Sequence, residues 1–518
     1  MKSIYIKTIL AFLLSVCMLF TVGCSNSNVS SEKSENKETS SDSNLKVETY
    51  EKDGVIYVGD NTKVSAETTV KNFGDFKSES DDEASTLRKE ILEAKDTIKS
   101  KGTTWYISND GDDQNEGNSP QKPWKTLNAL SVNAYKIAEG DAVLFRRGDI
   151  FRGYITATSG ISYGAYGEGD KPCIYGCLKN YAEEVWRPTS EENIWAMILS
   201  TNDVGMIIFN HGEAYGNKKI ENVFECDEDY EFFYDQENGL LYLYCSKGDP
   251  SRAFYDIEFL SNKTLLYVKD NSENIYIENL CLKYTGGHCI SLGKPVKGIT
   301  IKNCEIGWIG GAIFRNKTER YGNGIQFYGQ CSDSVIDHCW VYQCYDAGLT
   351  HQYSGSGETK KDSAENLTYT NNLVEFCSYS FEYFWGWSEN GTPKDIPEVK
   401  MKNIVIENNI MRFSGYGLGK NRPNSWNVGH LVTWNSYINP HENFTVKNNI
   451  FDTSLLNLIN MQTFYSENPT MEGNTYIQKN GGKIGVNSTN KNTEGGVIEP
   501  NESAISLFDK NGKLIITQ

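Results

Sequence analysis

The sequence predicts an all-β protein built mainly from stacked coils of short strands. A pattern Asn-φ-x-φ-x-Asn-x-φ, with φ apolar, recurs between residues 274 and 450. Its copies stand about two dozen to forty residues apart, which is the spacing of a solenoid. Within each copy the apolar residues alternate, which is the period of a β-strand. Because one coil cannot bury its apolar face alone, we expect successive coils to share a continuous core.

The composition fits a large folded protein with an acidic surface. The chain has 518 residues, a formal net charge of −18 and an aromatic content of 12%. The excess of acidic residues excludes most nucleic-acid binders, which present a basic surface, so no nucleic-acid partner is expected. The absence of a Gly-X-Y period excludes a collagen-like chain. We therefore expect the aromatic side chains to be packed in a core or presented to a ligand.

The first residues indicate where the protein works. Lys2 and Lys7 precede a short apolar run at residues 9–20, which is followed by Thr21-Val-Gly-Cys24 and a polar, Ser- and Asn-rich stretch. Small residues before a cysteine resemble the lipobox of bacterial lipoproteins, although Thr21 replaces the usual Leu. The resemblance implies lipidation of Cys24 and a place on the extracellular face of the cell membrane. An ordinary signal peptide cut near Gly23, giving a secreted protein, or a single-span anchor is the alternative.

Two further segments interrupt or precede the coils. Short apolar strands joined by turns between residues 181 and 260 predict a small inserted β module. Helical spacing of apolar residues between 86 and 100 predicts a helix that covers the open end of the solenoid. The predicted segments are a signal peptide at 1–24, a tether at 25–48, an N-terminal cap with a helix at 49–102, the start of the solenoid at 103–180, the inserted module at 181–260, further coils at 261–482 and a C-terminal tail or cap at 483–518.

Aligning the copies places like residues above one another. The equivalent turn position holds the residues Asn303, His338, Asn371, Asn408 and Asn448. Amides stacked in this way can bond to the next coil, so we predict an asparagine ladder there.

The cysteines align in the same manner. Cys304 and Cys339 share one position, and Cys344 and Cys377 share another. Because stacked Cβ vectors run parallel, we predict buried thiols here rather than disulfides. No Cys or His spacing typical of a metal site occurs, so no metal site is predicted.

The repeat resembles the right-handed parallel β-helix of the pectate-lyase-like superfamily. The stretch Trp105-Tyr-Ile-Ser-Asn-Asp-Gly-Asp-Asp-Gln-Asn-Glu-Gly117 and the later Gly140-Asp-Ala-Val-Leu-Phe-Arg-Arg-Gly148 resemble the start of many secreted bacterial members. The resemblance covers roughly residues 103–480 and implies a polysaccharide lyase, a glycoside hydrolase or a uronan epimerase. Because this fold hosts many chemistries, it does not choose among them.

Glu382 is the first candidate catalytic residue. In Ser380-Phe-Glu-Tyr-Phe384 the alternation turns Phe381 and Tyr383 inward and Glu382 outward. A carboxyl beside aromatic rings has a raised pKa, as a general acid requires. The alternative is a solvated glutamate on the outer face.

Asp346 and His351 flank the preceding strand and are the other catalytic candidates. If that strand pairs without a bulge, His351 aligns with Phe384 and faces outward. If Leu349 aligns with Phe381, Thr350 and Gln352 face outward instead. The sequence leaves both registers open, and Asp346 is expected to hold a turn rather than contact Glu382 directly.

Polar and aromatic residues near this strand are candidates for substrate binding. Lys420 and Arg422 would bind carboxylates of a uronic-acid polymer, and tryptophans would stack on sugar rings. The candidates are Gln326, Trp385, Lys420, Arg422, His430 and Trp434. The turn at residues 110–115 departs from a calcium loop, so no cofactor is predicted, with Ca²⁺ left open.

These observations favour a surface-anchored enzyme that cleaves glycosidic bonds with Glu382 as general acid. One alternative is a lyase on a uronic-acid polymer, with His351 or Tyr383 as base. The other is a non-catalytic polysaccharide-binding lipoprotein of the cell envelope. The identity of the polysaccharide and the oligomeric state are left open.

Overall fold

The computed structural model describes residues 49–52, 55–58, 65–316, 318–353, 362–385, 400–422, 428–434, 439–462, 468–487 and 496–518. Strands are numbered along the chain within these ranges. Three long sheets dominate, and the chain visits them in turn, so that most coils contribute to all three. Almost all pairs within these sheets are parallel, for example the pairing of residues 364–370 with residues 401–407. The predicted all-β, parallel β-helix fold is therefore confirmed.

Sheet 1 forms the first wall of each coil. Its strands are β3 (Thr104–Ile107), β4 (Ala142–Arg146), β7 (Ser162–Tyr166), β18 (Ser272–Glu273), β19 (Tyr276–Glu278), β22 (Val296–Lys297), β23 (Thr300–Lys302), β28 (Cys331–Asp337), β31 (Ala364–Thr370), β34 (Met401–Glu407), β37 (His441–Lys447), β40 (Thr470–Glu472) and β44 (Asp509–Lys510).

Sheet 2 follows sheet 1 in each coil. Its strands are β5 (Ile150–Arg152), β8 (Cys173–Tyr175), β20 (Cys281–Thr285), β24 (Glu305–Ile309), β29 (Trp340–Cys344), β32 (Leu373–Glu375), β35 (Ile410–Ser414), β38 (Ile450–Ser454), β41 (Thr475–Lys479) and β45 (Lys513–Thr517).

Sheet 3 completes the coil. Its strands are β6 (Ile155–Ala157), β17 (Leu266–Val268), β21 (Ile290–Leu292), β27 (Ile325–Tyr328), β30 (Ala347–Tyr353), β33 (Tyr379–Trp385), β36 (Gly429–Thr433), β39 (Asn457–Met461), β42 (Lys483–Asn487) and, antiparallel at the end, β43 (Val497–Ile498).

An inserted module interrupts the coils, as predicted. A five-stranded sheet holds β9 (Arg187–Pro188), β10 (Ile194–Ile198), β13 (Asn217–Lys219), β14 (Glu231–Asp235) and β15 (Leu240–Tyr244). A three-stranded sheet holds β11 (Val204–Phe209), β12 (Ala214–Tyr215) and β16 (Ile257–Ser261). Two hairpins form separate two-stranded sheets. One pairs β1 (Thr49–Lys52) with β2 (Val55–Val58), and the other pairs β25 (Ala312–Arg315) with β26 (Glu319–Tyr321).

Helices are few and short in the described ranges. The α-helices are α1 (Ala66–Lys71), α2 (Asp81–Leu92), α3 (Leu127–Val132), α4 (Pro250–Ala253) and α5 (Glu502–Ser506), and the 3-10 helices are Ala134–Lys136, Tyr181–Glu183, Asn210–Gly212, Val223–Glu225 and Gly417–Asn421. In the part of the chain that is described, no helix has both the length and the apolar character needed to cross a bilayer.

The predicted N-terminal helix lies elsewhere than expected. Helix α2 ends at Leu92, and its Arg88 donates two hydrogen bonds to Glu375 of β32, at 2.8 and 3.0 Å. Arg412 of the next coil lies 3.5 Å from the same carboxylate and also pairs with Asp81. The prediction that this helix covers the open end of the solenoid is wrong, because charged pairs fix it against the middle of sheet 2.

The asparagine ladder lies one residue later than predicted. Asn371, Asn408 and Asn448 have φ between 53° and 56°, a left-handed conformation that Asn tolerates, and so form the turn. The ladder is the next residue in each coil. The amide groups of Asn372, Asn409, Asn449 and Asn474 are linked by hydrogen bonds of 2.9 Å from one coil to the next. Neutral amides inside the coil thus satisfy one another without a charge.

The buried thiols follow the prediction. The eleven cysteines of the described ranges are all free and buried. Their sulfurs contribute to the core together with Ile, Leu, Val and aromatic side chains.

Candidate functional site

The candidate site lies at the corner where the chain passes from sheet 2 to sheet 3. Between Cys344 and Ala347 this corner holds two residues, whereas the next coil has one between Cys377 and Tyr379. The coil with the additional residue carries Asp346, which is 4% exposed. Arg422, which follows the 3-10 helix Gly417–Asn421, forms an ion pair with the Asp346 carboxylate. The corner therefore holds a nearly buried ion pair on the outer side of the coil.

Glu382 lies beside this pair on β33. Its strand neighbours are Thr350 in the preceding coil and Val432 in the following one. Phe381 and Tyr383 belong to the interior core, so Glu382 faces outward as predicted. It is nevertheless only 5% exposed, and the indole Nε1 of Trp434 donates a 2.7 Å hydrogen bond to its Oε1.

The surroundings of Glu382 favour its protonated form. Burial and, after it, the negative charge of Asp346 raise the pKa of Glu382 to about 8. The Arg422 guanidinium and the Trp434 N–H oppose that rise. Burial also raises the pKa of Asp346, but its direct partner Arg422 opposes the change. Near neutral pH Glu382 therefore carries a proton, and Asp346 lies beside it in its ion pair with Arg422.

Aromatic rings surround the guanidinium of Arg422. Its carbon Cζ lies 5.0 Å from the ring centroid of Tyr379 and 6.0 Å from that of Tyr321. Tyr379 and Trp434 contact each other edge to face, with centroids 5.5 Å apart. Tyr379, Ala347 and Val432 form a small buried cluster that is separate from the core inside the coils. The site is thus an apolar corner that contains one ion pair and one protonated carboxyl.

His351 lies inside the coil, away from the outer candidate site, so its position does not support the predicted catalytic role. Leu349 pairs with Phe381, which is the second of the two registers left open by the sequence. His351 is fully buried, and burial lowers its pKa to about 3. Its Nδ1 lies 3.2 Å from the Tyr369 hydroxyl. A neutral imidazole among aromatic rings is a core residue here.

His430 is also interior, which corrects its assignment to substrate binding. Its Nδ1 lies 3.0 Å from the Ser380 hydroxyl and 2.8 Å from the Ser414 hydroxyl. Its Nε2 lies 3.1 Å from the carbonyl oxygen of Asp452 and therefore carries the proton. Burial lowers the pKa of His430 to about 3, so the ring is neutral.

Trp385 is a third correction among the predicted binding residues. It is 2% exposed, belongs to the interior core and contacts Tyr353 with ring centroids 5.6 Å apart. Alternation along the strand explains the error. Trp385 lies two and four residues after Tyr383 and Phe381, so its side chain faces the interior as theirs do. Trp387, one of the loop tryptophans that the sequence suggests could stack on sugar rings, lies outside the described residues.

Gln326 and Lys420 complete the predicted set. Gln326 occupies the outer row of sheet 3 two coils before Glu382, and its Oε1 accepts hydrogen bonds from Asn323 at 2.5 Å and Gln352 at 3.2 Å. Lys420 is exposed on the 3-10 helix that precedes Arg422. The structure therefore brings Asp346, Glu382, Arg422 and Trp434 together, and leaves Lys420 and Gln326 as outer residues nearby.

No cation site is apparent in the described ranges. Nowhere in them do three His, Cys, Asp or Glu side chains converge as metal ligands. The carboxylates of the turn at 110–115 are used within the protein. Asp110 pairs with Arg146, and Asp113 accepts hydrogen bonds from the Thr126 backbone and hydroxyl. This segment is a turn, as interpreted from the sequence.

Tyr379 was missed by the sequence analysis. Simple alternation along β33 would turn Tyr379 inward, like Phe381 two residues later. In the pairing of β33 with β30 and β36, however, Ser380 has no paired residue, so the alternation is interrupted there. Ser380 and Phe381 both face inward, and Tyr379 packs outside the core. No signal in a single sequence reports such an irregularity at a corner.

Comparison with known proteins gives limited likeness. No family model matches the chain. A lacto-N-biosidase of Bifidobacterium longum subsp. longum is 39% identical over 89 residues, which is 15% of this chain and 6% of that protein. The chain therefore matches only a small part of the length of this curated relative.

The solved structures similar to this chain have low sequence identity. One is titled glycoside hydrolase, with 9% identity, a TM-score of 0.46, and coverage of 74% of this chain and 92% of that one. An alginate lyase from Paenibacillus sp. has 12% identity, a TM-score of 0.35, and coverage of 68% and 88%. A lacto-N-biosidase from Eubacterium ramulus has 13% identity, a TM-score of 0.32, and coverage of 80% and 67%. At this level of likeness the solved structures do not assign an activity to this chain.

Proposed function

We propose that the chain is a glycoside hydrolase acting on a polysaccharide or oligosaccharide, with Glu382 as general acid and Asp346 as the second carboxylate. The observation that carries this proposal is the pair of buried carboxyl groups on the outer side of the coil. One has its pKa raised to about 8, and the other is held as a carboxylate by Arg422. Two carboxyl groups in different protonation states are what glycoside hydrolysis requires.

The proposed reaction assigns a task to each group. Glu382 gives its proton to the glycosidic oxygen as the bond to the anomeric carbon breaks, so the leaving sugar departs as a neutral alcohol. The Asp346 carboxylate stabilises the positive charge that develops at the anomeric carbon. Water supplies the hydroxyl that replaces the leaving sugar, and its other proton returns to the Glu382 carboxylate. Arg422 keeps Asp346 ionised, and Trp434 orients Glu382 through its 2.7 Å hydrogen bond.

The described residues give less support to a lyase. Both candidate bases, His351 and Tyr383, belong to the interior core. Arg422, the cation expected to neutralise a uronate, is already paired with Asp346. A lyase and a non-catalytic binding protein therefore enter the experiment as competing outcomes.

The decisive experiment compares the wild type, Glu382→Gln and Glu365→Gln. Glu365 is an exposed glutamate of β31, so Glu365→Gln removes one carboxylate without touching the site. The substrates are plant, algal and bacterial polysaccharides and oligosaccharides that contain lacto-N-biose, the last because of the 89-residue likeness. Reducing ends and the ultraviolet absorbance of unsaturated sugars are read together.

We expect new reducing ends without ultraviolet absorbance, at least a hundredfold loss in Glu382→Gln, and no change in Glu365→Gln. Unsaturated products would establish a lyase instead. Binding without products across the whole panel would favour the non-catalytic alternative. Activity that survives Glu382→Gln would place the chemistry elsewhere on the solenoid.

We further propose that Cys24 is lipidated and holds the protein on the extracellular face of the bacterial membrane. Cys24 lies outside the described residues, so the support is the lipobox-like Thr21-Val-Gly-Cys24 and the polar stretch after it. Cys24→Ala should move the protein from the membrane fraction to the soluble fraction. An unchanged distribution would contradict lipidation at this residue.

A further inference from the structure

Tyr379 has an unusual position in the candidate site. Its side chain is fully buried, yet its hydroxyl has no hydrogen-bond partner among the described residues. Buried hydroxyl groups nearly always have a hydrogen-bond partner in the protein. A buried hydroxyl without one has lost its hydrogen bonds to water and has gained none in return, which costs free energy. Unlike other unpaired groups of the coil, this hydroxyl belongs to a ring packed beside Arg422 and Trp434, where a ligand of the site would be its partner.

The ring of Tyr379 is held firmly. It lies 5.0 Å from the Arg422 guanidinium and meets Trp434 edge to face at 5.5 Å. Arg422 and Trp434 are also the residues that bind the Asp346 and Glu382 carboxyls. The phenol is thus positioned by the same side chains that position the two acids.

The hydroxyl of Tyr379 is a hydrogen-bond donor. Burial raises its pKa well above the ordinary value, and the nearby Asp346 and Glu382 act in the same direction against the opposing charge of Arg422. The phenol therefore keeps its proton near neutral pH. Sugar hydroxyls and ring oxygens accept such a hydrogen bond.

We propose that Tyr379 is a glycan-binding residue of this site, whose hydroxyl donates a hydrogen bond to an oxygen of the sugar held beside Glu382 and Asp346. The proposal rests on the proposed hydrolase function for its reaction, but it makes a statement about binding that is testable without turnover. It also explains why a buried phenol stands unpaired at the corner, since its partner is the substrate.

Tyr383 provides a matched control on the same strand. Its hydroxyl is also buried and unpaired, but it lies on the core side, where its ring contacts His351 and Phe444. Tyr379→Phe and Tyr383→Phe thus remove the same atom from two buried rings of β33. Only the first is expected to touch a glycan.

The first measurement is kcat/KM on whichever glycan the wild type cleaves. We expect a roughly tenfold fall in Tyr379→Phe with an unchanged or slightly higher unfolding midpoint, and no change of activity in Tyr383→Phe. Equal activity of Tyr379→Phe and the wild type would overturn the proposal, because the hydroxyl would then bond only to water. Equal losses in both variants would also overturn it, since they would report a change of the whole strand.

The second measurement separates this proposal from the hydrolase proposal. In a Glu382→Gln background, glycan binding is titrated calorimetrically with and without Tyr379→Phe and Tyr383→Phe. A roughly tenfold weaker affinity caused by Tyr379→Phe alone supports the binding role, even if the wild type cleaves nothing and the hydrolase proposal fails. Unchanged affinity, or a chain that binds no glycan of the panel, overturns the binding role.

Discussion

The interior of the coils and the corner between sheets 2 and 3 both bury titratable side chains, but they compensate them differently. Inside, His351 and His430 are neutral and meet hydroxyl, carbonyl or aromatic neighbours. At the corner, Asp346 and Arg422 carry opposite charges, and Glu382 holds a proton beside them. The difference teaches that burial alone does not mark a functional residue in this fold.

The two regions also differ in their unpaired groups. The unpaired hydroxyl of Tyr383 is surrounded by core rings, whereas that of Tyr379 stands with the two carboxyl groups. The unpaired groups of the interior, such as the Tyr383 hydroxyl and the His351 Nε2, lie among core rings with no ionised group beside them. The corner combines the Asp346–Arg422 ion pair, the protonated carboxyl of Glu382 and the unpaired hydroxyl of Tyr379. Such a combination of groups is expected of a site that binds a substrate.

The largest expected effect comes from Asp346→Asn, which breaks the corner alone. Arg422 would become an unpaired, nearly buried cation, so the free energy of unfolding should fall by about 3 kcal/mol. Loss of the negative charge should also lower the pKa of Glu382, because Asp346 raises it. We expect activity to fall at least a hundredfold and the basic limb of the pH–rate profile to move to lower pH.

The matched control for that variant is Asp333→Asn. Asp333 lies exposed on β28 and meets Lys297 at 3.7 Å, so its charge should matter little. Urea unfolding and pH–rate profiles measure both variants. A pH–rate profile of Asp346→Asn that overlays the wild type would show that the two carboxyl groups are not coupled.

A smaller effect, on stability only, is expected from Asn409→Ala in the interior. The Asn409 amide gives hydrogen bonds to Asn449 and to the Tyr369 carbonyl, and it accepts two from Asn372. Each group left unpaired inside the coil costs about 1–3 kcal/mol, so urea unfolding should show a loss in this range or above it.

Activity per folded molecule should stay at the wild-type level in Asn409→Ala. The control is Asn403→Gly. Asn403 is half-exposed on β34, donates a hydrogen bond to Asn366 and accepts one from Asn443. Glycine keeps the left-handed backbone at φ 54°, and water replaces both lost bonds. This control should lose less than about 1 kcal/mol. A loss as large as that of Asn409→Ala would mean that the buried ladder has no special role.

Much of the fold could be predicted because it depends on local alternation repeated many times. The strands, the free thiols and the outward direction of Glu382 follow from that alternation alone. The corner could not be predicted in the same way. One additional residue before Ala347 and the omission of Ser380 from the pairing decide where Asp346 and Tyr379 lie.

The wrong site assignments have the same origin. His351 depends on a choice between two registers that differ by one residue, and such a slip exchanges the inner and outer faces of a strand. Arg422 meets Asp346 across 76 positions of the chain, a contact that no local pattern reports. The sequence therefore predicted the fold and the outward direction of Glu382, but not the neighbouring Asp346 that helps to raise its pKa.

A third effect is the dependence of stability on pH through Glu382. Its pKa is about 8 in the folded protein and near 4.5 when the chain is unfolded. Between these values the unfolded chain has lost the proton that the folded protein keeps. The contribution of Glu382 to stability is therefore present below 4.5 and is lost as pH rises toward 8.

Glu382→Gln removes this pH dependence. The urea midpoint of the wild type should decrease relative to that of the variant between about pH 5 and pH 8. A constant difference between the two midpoints over that range would contradict a raised pKa. Glu365→Gln serves as the control and should follow the wild type at every pH.

The smallest effect on activity is expected from His351→Phe, which tests the interior alone. His351 contacts the rings of Phe381 and Phe444, with ring centroids 5.6 and 5.7 Å away. A phenyl ring at this position would keep these aromatic contacts and lose only the contact to the Tyr369 hydroxyl. We expect kcat/KM within about twofold of the wild type and a stability change within about 1 kcal/mol at neutral pH.

The contribution of His351 to stability depends on pH with the opposite sign to that of Glu382 at the corner. The pKa of His351 is about 3 in the folded protein, against an ordinary value of 6.5. Between these pH values the imidazole is protonated in the unfolded chain and neutral in the folded protein. Stability from the neutral ring is therefore present above 6.5 and is lost as pH falls toward 3, and His351→Phe should lose less in that range. If kcat/KM instead fell tenfold with folding intact, His351 would belong to the reaction, and the division between a structural interior and a functional corner would fail.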